Sequence, residues 1–378
     1  MNTKTSTEEK DAAEEVALPF RVLALDGGGI RGYYTAVLLA GLVRHFEVST
    51  GRTNLDLGKG FDLIAGTSTG GILAAALAYG VRPEEIAKLY KERGPAIFPE
   101  RFPKMAMDIP TAKWAWRHWE VPTASASVLK EGLDQVFEQT TLEELWANRK
   151  IALTLPSISV ENYGPKVFKT PHLARLTHDR RLKLSEVCLA TSAAPLFFPL
   201  HSISRSTGYF RDDLFVDGGL WANNPSLVAL LEAIEITAAA SQQTRAIEIF
   251  SLGTCSGKVD QSHLKADPKG GLRTWNFGKD ITELAVTTSA NAMDFMSNLL
   301  AKALSSSGRK VTYARIPDPE MTSTQQAALG MDRADDHAFK IMEQLAATNE
   351  TRILSGIEDP DNSAYRNFAA ILRNLPAF

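Results

Sequence analysis

The stretch FDLIAGTSTGGILAAALAYG, residues 61–80, decides the fold. A short apolar run leads into Gly66-Thr67-Ser68-Thr69-Gly70, and small residues at helical spacing follow, so the pattern predicts strand, tight turn and helix. The turn matches G-x-S-x-G, in which a serine occupies a strained strand-to-helix corner with its hydroxyl clear of the sheet. Gly66 and Gly70 permit that tightness, because side chains there would collide with neighbouring elements. The helix that follows aims its N-terminus at Ser68 and favours negative charge developing beside it.

The same unit stands earlier, in FRVLALDGGGIRGYYTAVLLAGLVRHFEVSTG (20–51): a strand, a glycine turn and a helix that Gly51 stops. Downstream, KIALTLPSISV (150–160), PKVFKTPHL (165–173), LFVDGG (214–219) and RAIEIFSLGT (245–254) read as strands. Helices are expected in LSEVCLATSAAPLFF (184–198) and NPSLVALLEAIEITAAA (224–240). Alternating strands and helices predict an α/β fold, a mainly parallel central sheet flanked by helices. From about Thr282 the chain reads as helical to its end.

Composition narrows the class. With 378 residues, 44% of them hydrophobic, the chain can bury a large core. A net charge of -3 lacks the basic excess of a general nucleic-acid binder. Two cysteines, Cys188 and Cys255, give neither a disulfide framework nor a zinc site, so no metal and a reducing, cytoplasmic setting are expected. Residues 1–17 have no apolar core of a secretory signal and read as a disordered acidic tail. No run approaches the length of a membrane-spanning helix, so any contact with a membrane is expected to be peripheral.

A serine hydroxyl is a weak nucleophile at neutral pH and needs a base. The usual partner is a histidine oriented by a carboxylate, yet none of the seven histidines stands at a strand end in a glycine-flanked turn. Asp217 does, in LFVDGGLWANNP, just before Gly218 and Gly219. Open α/β sheets hold functional groups in the crevice beyond their strands' carboxyl ends. Partial burial would raise the proton affinity of Asp217 and suit it to take the serine proton. The bland alternative is an Asx-turn with its own backbone. The rival enzyme reading is an α/β-hydrolase triad with His263 as base.

Gly27, Gly29 and Gly32 satisfy G-x-G-x-x-G, the dinucleotide fingerprint. That reading wants an acid about 20 residues on, at the end of a second strand. Glu47 stands near that distance but at the end of a helix, and Asp26 would crowd a pyrophosphate. An oxyanion needs only backbone N–H groups aimed at one small volume. Gly27, Gly28 and Gly29 can supply them, with Arg31 adding charge or pairing with an acid. A nucleotide-binding sensor built on this turn remains the reading from another class.

DGGGIRG, GTSTGG, ATSAAPLFFP and DGGLWANNP, in that order and followed by FSLGT, resemble the patatin-like phospholipases across about residues 20–255. The resemblance implies the layered patatin fold and a Ser–Asp dyad, with Ser68 as nucleophile, Asp217 as base and the Gly27–Gly29 loop as oxyanion hole. It implies hydrolysis of lipid acyl esters through an acyl-enzyme, without a cofactor. FKTPHLARLTHDRRLKLSEVCLATSAAP (168–195) is similar to the version of this segment in cyclic GMP-AMP-activated phospholipases of bacterial antiphage signalling. That similarity implies a cyclic dinucleotide activator, its pocket not located by the sequence, and the cell's membrane phospholipids as substrate. A basic solvated loop is the plainer account of the segment. Homo-oligomerisation stays open.

The expected organisation is a patatin-like domain over 18–340, with a Trp-rich insertion at about 98–128, and a helical extension over 341–378. The insertion, with Trp114, Trp116 and Trp119 beside Lys113 and Arg117, reads as core or subunit packing, with an interfacial lid as the functional alternative. Trp116 and Arg117 are also candidates for nucleotide stacking and phosphate contact. Ile281, Leu284, Ala285, Ala292, Phe295, Met296 and Leu299 recur at helical spacing. That stripe is expected to pack on the core, with acyl binding as its alternative.

Overall fold

The computed structural model describes residues 18–100, 113, 114, 116, 117, 121–204, 212–256, 269–271, 274, 275 and 279–378. The tail over 1–17, much of the Trp-rich insertion and His263 lie outside the described residues.

Eight strands make one sheet: β1 (Phe20–Leu25), β2 (Leu63–Gly66), β3 (Ala152–Ser159), β4 (Gly164–Lys169), β5 (His201–Ile203), β6 (Asp213–Asp217), β7 (Ile247–Leu252) and β8 (Val311–Ile316). Around and between them run α1 (Gly32–Thr50), α2 (Thr69–Tyr79), α3 (Pro83–Ile97), α4 (Ala126–Phe137), α5 (Leu142–Arg149) and α6 (Leu184–Thr191). The later helices are α7 (Gly219–Ala222), α8 (Ser226–Ala239), α9 (Lys279–Ser306), α10 (Ser323–Ala328), α11 (Asp336–Ile357) and α12 (Ser363–Arg373).

The sheet order is β5-β6-β3-β2-β1-β7-β8, with β4 also on β3. Strands β3, β2, β1, β7 and β8 are mutually parallel, as the alternating pattern predicts. Of these, β1, β2, β3 and β7 are buried along almost their whole length because both faces are covered. Leu23, Leu25, Ile64 and Leu153 face the larger core with α1, α2 and α11. Val22, Leu63, Ala65 and Ile249 alternate to the other face, against Ala229 and Ala233 of α8 and Ala301 of α9.

One departure from the sequence reading is β8, which lies in the region read as helical. Val311, Thr312 and Ile316 favour a strand, but six residues between long helical patterns leave a weak signal. A second is the α9 stripe. Ile281, Phe295 and Leu299 are each more than half exposed, with Phe295 at 68%. The buried side of α9 is carried by Ser297 and Ala301 instead. Periodicity reveals that a helix has an apolar face, but not what lies against it. Finally, α11 runs across residue 340, where the extension was expected to begin. Its Phe339, Met342, Leu345 and Ala346 belong to the same core as α1.

Candidate active site

The register of β3 brings two distant chain segments together. β4 occupies one edge of β3 over Thr154–Ser159, so β2 and β6 must share the other. β2 climbs that edge to the rung Ala65–Thr154, and β6 descends it antiparallel to the rung Ser157–Asp217. Their carboxyl ends therefore face each other across a short gap. Pro156 falls in that gap, where its missing N–H breaks no ladder. The strand carrying Asp217 is thus antiparallel, although its carboxyl end was expected in a parallel array.

In the gap stands Ser68, with φ 54° and ψ −125°, as the residue that caps α2. This is the strained corner anticipated from G-x-S-x-G. A Cβ on Gly70 would lie 2.3 Å from the Leu25 carbonyl oxygen, so only glycine lets the chain turn this closely. Because Ser68 occupies a left-handed conformation, Ser68→Gly is expected to be more stable than Ser68→Ala by about 1 kcal/mol. Urea unfolding of the two variants measures the difference, and matching midpoints would mean an unstrained corner.

Ser68 Oγ donates to Asp217 Oδ2 at 2.6 Å. The Gly219 amide donates to Asp217 Oδ1, also at 2.6 Å, so the Asx-turn weighed as the bland alternative forms alongside the contact with Ser68. Both side chains are nearly buried, Ser68 at 8% and Asp217 at 5% exposure. Burial pushes the Asp217 carboxyl up to about 6, while the hydrogen bonds from Ser68 and the Gly219 amide pull it down. The segment ATSAAP braces both partners. Thr191 Oγ1 accepts from the Ser68 amide at 3.1 Å, the Asp217 amide donates to the Ala193 carbonyl at 3.0 Å, and the Gly218 amide donates to the Thr191 carbonyl.

The glycine loop borders the same cleft. Its Gly29 has φ +61°, and a Cβ there would meet the Met331 carbonyl at 2.2 Å. Gly28 and Gly29 line the cleft with Ser68 and Asp217, and neither amide has a hydrogen-bond partner among the described residues. Gly27 differs from expectation: its amide donates to the Asn223 carbonyl at 3.0 Å. Its own carbonyl accepts from Thr254 Oγ1 at 3.1 Å and Asn223 Nδ2 at 3.3 Å. Of the three expected donors, Gly28 and Gly29 are the two whose amides stay unengaged among the described residues. Gly32 opens α1, and Gly66 ends β2. Arg31 is buried and forms no ion pair with an acid among the described residues.

Below the loop, Arg315 of β8 grips Asp26 with both guanidinium nitrogens, Nη1 reaching Oδ1 at 2.8 Å, and also donates to Ser251 Oγ. Sequence reasoning missed Arg315 because it missed the strand. Thr191, Asn223 and Thr254 were quoted within motifs but given no role: Thr191 ends α6, Asn223 follows α7 and Thr254 lies just past β7.

The cleft's wall is chiefly apolar, with Ile72, Ile97, Phe98, Phe197 and Phe198 prominent. No histidine lines it among the described residues. A model of the patatin-like phospholipases matches residues 23–230. The chain belongs to the patatin-like phospholipase family. Among its relatives, a "cGAMP-activated phospholipase" of Vibrio cholerae is 34% identical over 264 residues, 68% of this chain and 71% of that one. A protein of the same name from Escherichia coli is 30% identical over 353 residues, 92% of each chain. "Patatin-like protein 1" of Arabidopsis thaliana is 29% identical and spans 79% of this chain and 74% of its own. As a patatin-like phospholipase, the chain is a hydrolase of lipid acyl esters.

Proposed function

We propose that this phospholipase works through a Ser68–Asp217 dyad and is switched on by a cyclic dinucleotide. The observation that carries the first part is the 2.6 Å contact of Ser68 Oγ with Asp217 Oδ2 at the wall of an apolar cleft. Ser68 Oγ attacks the ester carbonyl carbon as Asp217 takes its proton. The Gly28 and Gly29 amides and the N-terminus of α2 stabilise the oxyanion that forms. Collapse expels the lysophospholipid alkoxide, which takes the proton from Asp217 and leaves Ser68 acylated. Water then attacks, giving its proton to Asp217, and the second collapse frees the fatty acid and returns the proton to Ser68.

A carboxyl raised by burial is a stronger base than an exposed one and is still ionised at neutral pH. The reactive form is the carboxylate, so kcat/KM is expected to rise with pH through about 6 and level off above it. A pH profile of a soluble ester substrate checks this, and a flat line across that region would count against Asp217 as the base.

Activation by a cyclic dinucleotide is supported by the names of the Vibrio cholerae and Escherichia coli relatives, and it would suit an antiviral effector. Phospholipid hydrolysis measured with and without cyclic GMP-AMP tests it: a large rise is expected, and full activity without the nucleotide argues against the switch. Action at a membrane surface is supported by α9. Thr282 and Val286 line the cleft, while Ile281, Phe295 and Leu299 of the same helix face solvent. No helix among the described residues is long and apolar enough to cross a membrane.

A further inference from the structure

Beside the catalytic cleft lies a second, partly open apolar pocket, walled by α2, α3 and α4. We infer that it seats the distal part of the scissile acyl chain and so sets the chain length the enzyme prefers. The inference rests on the reading of Ser68 as nucleophile.

The two spaces share four wall residues, Ile72, Tyr90, Ile97 and Leu129, and therefore adjoin, so a shift of these side chains would let one acyl chain run from the first into the second. The face of α2 gives that path its direction. Ser68 caps the helix, Ile72 stands one turn on at the shared wall, and Ala76 stands a further turn on in the second cavity only. Eight residues of helix carry the path about 12 Å away from the nucleophile.

The lining has the chemistry of a hydrocarbon site. Beyond the shared residues it consists of Ala76, Ile86, Leu89, Leu133, Val136 and Phe137, together with Gly132 and Arg93. Arg93 is the single charged residue, and its guanidinium is engaged by Gln135 in an exposed contact. The Tyr90 hydroxyl donates to the Thr69 carbonyl at 3.1 Å. An apolar pocket that adjoins the cleft of a reactive serine has the character of a ligand site, concave and lined by hydrocarbon. Gly132 lies within α4 at the lining, where an added Cβ would meet Arg93 Cδ at 3.1 Å, so the glycine makes room for the stem of that arginine.

The test compares palmitoyl and acetyl p-nitrophenyl esters on wild type, Leu129→Trp and Val136→Phe. Both substituted positions are only half-buried. Leu129→Trp narrows the shared wall, and its palmitoyl:acetyl ratio of kcat/KM is expected to fall by about 10- to 100-fold, because each excluded methylene forfeits its share of apolar binding. Val136→Phe narrows only the deeper cavity. It should lower the palmitoyl ratio while leaving the ratio of octanoyl to acetyl turnover much closer to wild type. Ratios within twofold of wild type in both variants overturn the inference. Ser68→Ala protein carrying the same substitutions gives an independent readout through binding of a fluorescent long-chain fatty acid, where affinity should fall about tenfold. Unchanged affinity also overturns the acyl seat. Wild type inert toward every ester in the presence of cyclic GMP-AMP would instead refute the hydrolytic reading of Ser68, and the binding measurement would still decide the pocket.

Discussion

Asp217→Asn is expected to lower phospholipid hydrolysis by about 10³- to 10⁴-fold, the scale lost when a catalytic base cannot accept its proton. The amide keeps the shape of the carboxylate and a hydrogen-bonding oxygen, so the loss reads proton transfer and not the packing of the corner. Folding should not suffer. Asp217 is a buried carboxylate raised to about 6 chiefly by burial, and a neutral amide removes that penalty, so the unfolding midpoint at pH 7 is expected to hold or rise. Ser68→Ala should be at least as inactive. The double variant should be no worse than the poorer single one, because the two groups act as a unit. Turnover retained in Asp217→Asn beyond about a tenth of wild type would remove Asp217 from the mechanism.

Arg315→Met is expected to destabilise the protein by about 3 kcal/mol, the scale of breaking a buried ion pair from one side. The guanidinium holds both oxygens of Asp26, which is 4% exposed. Without it the carboxylate has no cation in reach among the ion pairs of the described residues. Asp26 directly precedes the glycine loop, so kcat should also fall as Gly28 and Gly29 lose their fixed position. Removing both charges together is the decisive comparison. Asp26→Asn with Arg315→Met should regain much of the lost stability, since a missing pair costs far less than an orphaned charge. Urea unfolding of the two single variants and the double variant reads the coupling, and purely additive losses would show that the two side chains do not act as a pair.

The features legible in the sequence were those set by local chemistry. Ser68 was readable because glycines, an apolar run and a helical run surround it within twenty residues, and the corner needs nothing else. Asp217 was readable for a similar reason, though the expected parallel strand proved to be antiparallel β6. Features that depend on remote partners were hidden. The Gly27 amide is engaged by a carbonyl at Asn223, and no local pattern announces that. The exposed side of α9 illustrates the same limit, since its spacing was visible and its surroundings were not. Arg315 was hidden twice, once by an unread strand and again by a partner 289 residues away.

The meeting of β2 and β6 on one edge of β3 also sets a timetable for the ribosome. Ser68 and Asp217 are 149 residues apart in the chain, so at ~5–20 residues per second the nucleophile leaves the synthetic machinery roughly 7–30 s before its base. Until β6 docks beside Ser157, Ser68 has no Asp217 to take its proton. On the proposed dyad, the nascent hydrolase is expected to gain its base, and with it its activity, only when translation is well advanced.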